Sequence, residues 1–582
     1  MKKIYAMMVA TLFATAAFAQ NINQPEMREG APVKIAPQSK KAALGTKVME
    51  ADKALLLQNK IENGAVSGMK KVAAASEVIS DTPDGTLYDL YYSSYSYYLY
   101  YYYYVYLMAL DGTAAQLVEG TDGNVYIKNI IGNYPTGTWI KGSYDSEGNI
   151  EVTFPQQVYS YDYYGTTYDY YVYKMTYDSS ESTYVVYDGD QTMTFSWDGT
   201  TLAQLDNDYL IGLTDEDGTW QYYGDYNIVA TLQTDKAVTL PESGTTEDYV
   251  LTYKDSYIED ASYVTTVTID GSDIYVQLKN SSYGIDGYVK GTISGDKATF
   301  PTAQLLGVED SYNGYVYLLN VDASEEYFDY VEYYGEEYAD YAIYNYYYYS
   351  VNELLDADIE FDYDADAKTL KSDDVVLLNQ GKNNVYYYAI YGEPELSYFE
   401  EKAGTPQTPD ITYFYDWTDS YGYGLIVFEY SYYDTDGNYM NPDKLYYSVY
   451  IDDDVLVLYL DEYYYIDEDG MEEIPINYSD SYSWDIIAYS GYNYFYYYAV
   501  GFDKIGVQLI YYGGDEVNKS EIAYYYVNGD TGIDSTVSDA AVKSITFTDI
   551  AGRAVSQPTK GLYIATETLS DGTVRSYKTI VK

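Results

Sequence analysis

Two short stretches decide how this chain is read: Asp122-Gly123-Asn124-Val125-Tyr126-Ile127 and, further on, Asp270-Gly271-Ser272-Asp273-Ile274-Tyr275-Val276. Each opens on an Asp-Gly pair, which supplies the positive φ angles of a tight hairpin, and continues in the aromatic and β-branched residues that suit a strand. Their neighbours recur in the same order. Trp139-Ile140-Lys141-Gly142 returns as Tyr288-Val289-Lys290-Gly291, and Val152-Thr153-Phe154-Pro155 returns as Ala298-Thr299-Phe300-Pro301. Met193-Thr194-Phe195-Ser196-Trp197-Asp198 has its counterpart in Ile359-Glu360-Phe361-Asp362-Tyr363-Asp364. Four blocks in one order, offset by 146 to 166 residues, mark two homologous β repeats, 77–237 and 238–400. The offset grows between the third and fourth blocks. Insertions are therefore expected there, in the Tyr-rich loop region 327–350 of the second copy.

Working outward, the same grammar fills the body of the chain. Asp111-Gly112, Asp198-Gly199, Asp217-Gly218, Asp436-Gly437 and Asp469-Gly470 read as further hairpin turns between short runs of Tyr, Val, Thr and Ile. The expectation is an all-β protein of tandem β-sandwich-like domains. Residues 401–410, with Pro406 and Pro409, read as a linker. Residues 411–530 do not align with the repeats, and by strand spacing alone they suggest a third sandwich of fibronectin- or immunoglobulin-like pattern.

Composition narrows the chemistry. The chain of 582 residues has a formal charge of −59, 88 Tyr, no Cys and no His. Without those two residue types there is no Ser/His/Asp triad, no Cys nucleophile, no disulfide, and no zinc bound through Cys or His. Divided by region, residues 76–532 carry a net charge of −66 and contain no Arg, since the three Arg are Arg28, Arg553 and Arg575. Such a body repels phosphate backbones, so nucleic acid is not expected as a partner.

Both ends differ from this body. Lys2 and Lys3, the apolar run Ile4 to Phe18 and Ala17-Phe18-Ala19 read as a signal peptide over 1–19, cleaved between Ala19 and Gln20. The apolar run is too short to span a bilayer, and no transmembrane span is expected in the mature chain. Residues 20–76, rich in Ala, Lys and Gln, read as a flexible leader.

From Asp530 onward ordinary composition and positive charge return. There Asp549-Ile550-Ala551-Gly552-Arg553 is followed by Lys560-Gly561-Leu562-Tyr563-Ile564, then by Arg575-Ser576-Tyr577-Lys578 and the terminal Lys582. This series, over 533–582, resembles the C-terminal sorting domain of the type IX secretion system of Bacteroidetes, in which a D-x-x-G-R turn, a K-G-x-Y-I strand and a basic last hairpin follow one another. The resemblance implies a small β sorting domain, recognition by the secretion machinery through Asp549, Gly552, Arg553, Lys560, Gly561, Tyr563, Lys578 and Lys582, and a destination at the outer-membrane surface or outside the cell. More loosely, the body resembles large surface proteins of Bacteroidales in which Asp-Gly-Asn-x-Val-Tyr-Ile and Trp-Ile-Lys-Gly blocks recur.

Candidate chemistry in the body is thin. With 81 acids in residues 76–532, no single carboxylate pair can be singled out as catalytic. Asp434-Thr435-Asp436-Gly437-Asn438 begins like an EF-hand loop but has Tyr439 at the sixth position and Leu445 at the twelfth; Asp467-Glu468-Asp469-Gly470 and the Asp362, Asp364, Asp366 alternation fail in the same way. No cofactor is expected, and calcium held by loops of another kind stays open. The tracts Tyr100 to Tyr104, Tyr346 to Tyr349 and Tyr496 to Tyr498 could stack against sugars, or could fill the two faces of strands. Lys141 and Lys290, at equivalent repeat positions, are expected to pair with nearby carboxylates. The expected role is non-enzymatic adhesion or ligand binding at the cell surface, with glycans as the leading ligand class. The alternatives are a carboxylate-based glycan-active hydrolase and a structural surface coat.

Overall fold

The computed structural model describes residues 77–100, 104–163, 166–310, 313–335, 345–415, 423–463, 465–479, 485–489, 491–527, 542–549, 554–555, 561–569 and 574–581. The leader, the signal segment with Ala19 and Gln20, and residues Gly552, Arg553, Lys560 and Lys582 of the tail motif lie outside them.

The first repeat contains β1 (Gly85–Tyr100), β2 (Tyr104–Gly120), β3 (Asn124–Lys128), β4 (Trp139–Tyr144), β5 (Ile150–Thr153), β6 (Gln156–Tyr163), β7 (Thr166–Asp178), β8 (Thr183–Val186), β9 (Thr192–Trp197), β10 (Thr201–Gln204), β11 (Leu210–Thr214) and β12 (Trp220–Leu232). The second contains β13 (Thr245–Lys254), β14 (Asp260–Asp270), β15 (Asp273–Asn280), β16 (Ile285–Ser294), β17 (Lys297–Phe300), β18 (Gln304–Val308), β19 (Tyr315–Phe328), β20 (Tyr346–Leu355), β21 (Ile359–Asp364), β22 (Thr369–Lys371), β23 (Val375–Gln380) and β24 (Tyr387–Tyr398). Strand for strand the two sheets have one topology. The first runs β1-β2-β3-β4-β5-β9-β10-β12-β11-β7-β6 with β8 on β7, and the second runs β13-β14-β15-β16-β17-β21-β22-β24-β23-β19-β18 with β20 on β19. The duplication read from four sequence blocks therefore extends over twelve strands.

Each sheet also closes on itself, because β1 pairs with β12 and β13 pairs with β24. Eight strands of each repeat thus form an antiparallel ring. Closure removes the free edge that an open sheet would present, and it gives the alternating apolar residues of every ring strand a common interior. Every ring strand uses it: Leu90, Leu117, Ile127, Ile140, Val152, Phe195, Leu202 and Ala230 meet in the first core, and Leu251, Val267, Val276, Val289, Phe300, Phe361, Leu370 and Leu396 meet in the second.

One expected turn is absent. Asp111-Gly112 lies within β2, where Gly112 has φ 78° and the β1–β2 register slips between Tyr92 and Ser93. The positive φ that a hairpin uses is here spent on a bulge. That bulge forms part of the junction between the repeats. Asp111, buried, accepts from Tyr91 (2.5 Å), Ser93 (2.8 Å), the backbone N–H of Lys382 (3.0 Å) and Asn383 (2.9 Å), and the Asn383 amide (3.1 Å). A Cβ on Gly112 would come within 2.3 Å of the Gly381 Cα, so the approach depends on glycine. Lys382 Nζ reaches Asp235 at 2.5 Å, and Tyr317 donates to the same carboxylate at 2.9 Å. Burial would raise the Asp235 carboxyl, but Lys382 and Tyr317 hold it below the usual carboxylate range.

The following region holds β25 (Asp410–Tyr415), β26 (Gly424–Glu429), β27 (Leu445–Ile451), β28 (Asp454–Val455), β29 (Ile474–Pro475), β30 (Ile486–Tyr489), β31 (Tyr492–Tyr497), β32 (Lys504–Tyr511), β33 (Asn518–Lys519) and β34 (Ala523–Tyr526). They form a four-stranded and a six-stranded sheet. Ile426, Phe428 and Phe495 of one share a core with Tyr447, Val449 and Val507 of the other, which makes a sandwich. The tail forms a separate sheet of β35 (Val542–Asp549), β36 (Ala554–Val555), β37 (Gly561–Leu569) and β38 (Val574–Val581), in the order β36-β35-β37-β38. Among the described residues no helix is long and apolar enough to cross a membrane.

Candidate functional site

The Tyr tracts divide as strand geometry requires. In β31 the pattern is alternate: Phe495 and Tyr497 are buried in the sandwich core, while Tyr494 and Tyr496 are half-buried on the other face. In β20 Tyr348 and Tyr349 are buried and Tyr347 is exposed. The Tyr100–Tyr104 tract lies at the end of the β1–β2 hairpin, where Tyr101, Tyr102 and Tyr103 fall outside the described residues.

Exposed rings gather elsewhere, on an arm built by β6 and β7. Among the described residues, 159–163 and 166–170 pair with each other and with no other strand, since β11 and β8 take up β7 only from Tyr171 onward. With side chains alternating across the ladder, Tyr159 and Tyr161 of β6 fall on the same face as Tyr168 and Tyr170 of β7. Tyr161 lies opposite Tyr168 with ring centroids 5.2 Å apart and planes inclined by only 17°; Tyr161 and Tyr170 are 6.1 Å apart at 9°. Tyr161 and Tyr168 are 39 % and 42 % exposed. On the opposite face Ser160 donates to Asp169 at 2.7 Å and Thr167 to Asp162 at 2.6 Å. The arm therefore has an aromatic side and a polar, acidic side.

Tyr170 leads this face back to the barrel. Burial, and then the neighbouring Tyr161 hydroxyl, push its phenol up to about 12. Tyr134, in the segment after β3, is raised by burial and then by Tyr159 and Tyr161, and its ring packs on Tyr223 at 4.8 Å. Next to Tyr134 in sequence, Ile130 and Ile131 enter the barrel core and Gly132 donates its N–H to Asp225 at 2.9 Å. Asp225 is fully buried and also accepts from Tyr92 (2.8 Å), Ser94 (2.8 Å) and Ser96 (2.6 Å). Burial raises its carboxyl above the usual range against the opposing pull of these donors. The Tyr92 hydroxyl has a second acceptor, Ile130 O at 2.9 Å, so a protonated Asp225 can donate to Tyr92 while Tyr92 donates to Ile130. Sealed in this way, Asp225 braces the barrel interior and is not positioned to meet a substrate.

The residues singled out from sequence have plainer surroundings. Lys141 lies 3.7 Å from Asp122 and 5.7 Å from the Tyr126 ring centre; Lys290 lies 2.7 Å from Asp273 and 5.5 Å from the Tyr275 ring centre. Asp434 accepts the backbone N–H groups of Asp436 (2.9 Å) and Asn438 (2.7 Å) in its own turn. Asp364 accepts from Asp366 and Ala367, Asp362 pairs with Lys297 at 2.7 Å, and Asp469 accepts from Leu460. Among the described residues no group of three acids that could hold a metal ion is found. In the tail, Asp549 ends β35 opposite Tyr563 of β37, Gly561 begins β37, and Lys578 of β38 lies opposite Ile564.

Sequence reasoning directed at consecutive Tyr misses the arm. The legible signal is alternation, Tyr159-Ser160-Tyr161-Asp162-Tyr163 answered by Tyr168-Asp169-Tyr170, which is a two-faced hairpin pattern. Compared with models of known protein families and with curated proteins, the chain matches none.

Proposed function

We propose that this chain is a cell-surface binding protein for neutral glycans, with the aromatic face of the β6–β7 arm as its platform. The observation that carries the reading is the exposed, near-parallel pair Tyr161 and Tyr168, extended by Tyr159 and Tyr170. The C–H faces of a sugar ring pack on such phenol rings while its hydroxyls reach acceptors at the edge. The net charge of −66 over residues 76–532 selects against anionic saccharides by long-range repulsion. Binding without bond cleavage is the activity assigned. Delivery through the type IX route belongs to the same reading and is supported by the order of the tail motif.

Screening the full chain on an array of neutral oligosaccharides, followed by calorimetry, tests the platform. Replacing Tyr161 and Tyr168 together by Ala should weaken binding at least about tenfold, a loss of about 1.4 kcal/mol. The Phe pair should largely retain it. Absence of any glycan ligand, or full affinity in the Ala pair, sinks the reading. Deleting residues 533–582 should abolish surface display, and a truncated chain still found at the surface removes the sorting assignment.

A further inference from the structure

We propose that Tyr161 and Tyr168 are a site of oxidative dityrosine cross-linking, a covalent strap across the β6–β7 arm. The argument begins with the arm's mechanical weakness. Over residues 159–163 and 166–170 it is a two-stranded ribbon with no third strand among the described residues, and isolated ribbons of this kind are marginal in water. Many exposed arms are stapled by disulfides, but this chain contains no Cys. What holds the ribbon instead is a ladder of phenols on one face and hydroxyl-to-carboxylate contacts on the other.

The chemistry follows from the pairing. Tyr161 and Tyr168 are directly opposite in register, and their rings are stacked at 5.2 Å and both open to solvent, so an oxidant can reach them and the two radicals form side by side. Under one-electron oxidation by a peroxidase with hydrogen peroxide, each phenol loses one electron and its hydroxyl proton. The two phenoxyl radicals join through a bond between one Cε carbon of each ring. The hydrogen on each joined carbon then moves to the phenol oxygen as aromaticity is restored. Overall two hydrogen atoms leave the protein and one peroxide is reduced to two waters. Other ring pairs are less suited: Tyr91 and Tyr315 are buried between the repeats, Tyr489 and Tyr492, stacked at 4.8 Å, are only half-exposed, and Tyr327 and Tyr347, though exposed, are tilted by 49°.

The strap is independent of the glycan reading, because it requires only the ring pair and an oxidant. The full chain is treated with a haem peroxidase and limiting hydrogen peroxide, the monomer is isolated, and it is cut by a protease that cleaves before Asp162. Expected are dityrosine fluorescence and a peptide pair bearing Tyr161 and Tyr168 that stays joined after the cut, lighter by two hydrogens. Tyr161→Phe and Tyr168→Phe, which keep the ring and remove the oxidisable phenol, should each abolish that linked pair, while Tyr159→Phe should leave it. Cross-links that avoid this pair, that join separate chains in preference to it, or that persist at the same position in the Phe variants overturn the proposal.

Discussion

The two repeats share twelve strands in one order, yet they solve the same interior differently. In the first barrel Ile211 of β11 lies opposite Asp225 of β12, and in the second the corresponding pair is Val376 and Tyr391. The ring strand beside them changes in step. Tyr92 opposite Ala230 becomes Leu251 opposite Leu396. One barrel thus closes over a buried carboxylate with four donors, and the other over an aromatic pair, Tyr253 and Tyr391, with ring centres 4.6 Å apart. The arms diverge as well. The first repeat extends the start of β7 with β6, and the second extends the end of β19 with β20. Exposed near-parallel rings occur on the first arm, whereas on the second Tyr348 is engaged by Glu326 at 2.8 Å, the near-parallel pair Phe328 and Tyr346 is half-buried, and the exposed rings Tyr327 and Tyr347 are tilted by 49°. The ladder and its closure are common to both copies; the residues inside and the exposed arm are what differ.

The harshest way to break the comparison is to place the first barrel's carboxylate in the second. An Asp at position 391 would face Leu251, Val376 and Leu396, and its side chain is too short to keep the contact that the Tyr391 hydroxyl makes with the Tyr263 hydroxyl at 3.4 Å. A buried charge so poorly satisfied costs several kcal/mol, so Tyr391→Asp should lose about 4 kcal/mol or more, read as a drop in the urea midpoint of the full chain. Tyr391→Phe, which forfeits only that long contact, should lose about 1 kcal/mol or less. Equal losses in the two variants would mean that the second interior tolerates a carboxylate after all.

A subtler test reverses the exchange. In Asp225→Asn the amide nitrogen cannot accept from the donors that converge on Asp225, and a loss of about 1–3 kcal/mol is expected. Because the folded carboxyl is raised, its contribution is fully present below the unfolded value of about 3.9 and is lost as pH rises through the folded value. The stability gap between the parent and Asp225→Asn should therefore be widest in acid and narrow as pH increases. Urea midpoints across a pH series measure that gap. A gap that widens with pH would show that the four donors outweigh burial and that the folded carboxyl is depressed.

How much of this was open to reading depends on how local each feature is. Asp122-Gly123 and Asp270-Gly271 are turns because their geometry is set within four residues, and the repeated blocks around them carry the all-β class with them. Asp111-Gly112 has the same two letters and becomes a bulge, since a positive φ at Gly112 serves either outcome and only the Lys382–Asn383 backbone, far away in sequence, selects between them. Barrel closure is likewise a pairing of β1 with β12 that no short window contains. Part of the expected loop 327–350 is strand, with Tyr327 and Phe328 ending β19 and Tyr346 to Ser350 in β20, because continuing the ladder satisfies backbone groups that a loop would leave to water. Asp225 is one acid among 81, and nothing in its own segment distinguishes it from the others.

The smallest effect concerns the volume left when Leu251 stands in for a tyrosine. The second barrel encloses a wholly apolar cavity of about 40 Å³, lined by Leu251, Val276, Val289, Val376, Tyr391 and Leu396 among others. A void of that size holds no ligand, and with no polar group on its wall it offers a water nothing to bond. At about 24 cal/mol per Å³, empty space on this scale costs about 1 kcal/mol. Val276→Ile adds one methylene toward it, so a gain of up to about 1 kcal/mol in the urea midpoint is expected, against a cost when the added group has nowhere to go. In the first barrel Ile127 already holds the matching position, and the enlargement two residues away, Val125→Ile, has the filled interior around Tyr92 to contend with and should destabilise. If both substitutions destabilise alike, the two interiors are equally packed, and the exchange of Tyr92 for Leu251 has been absorbed by the surrounding strands.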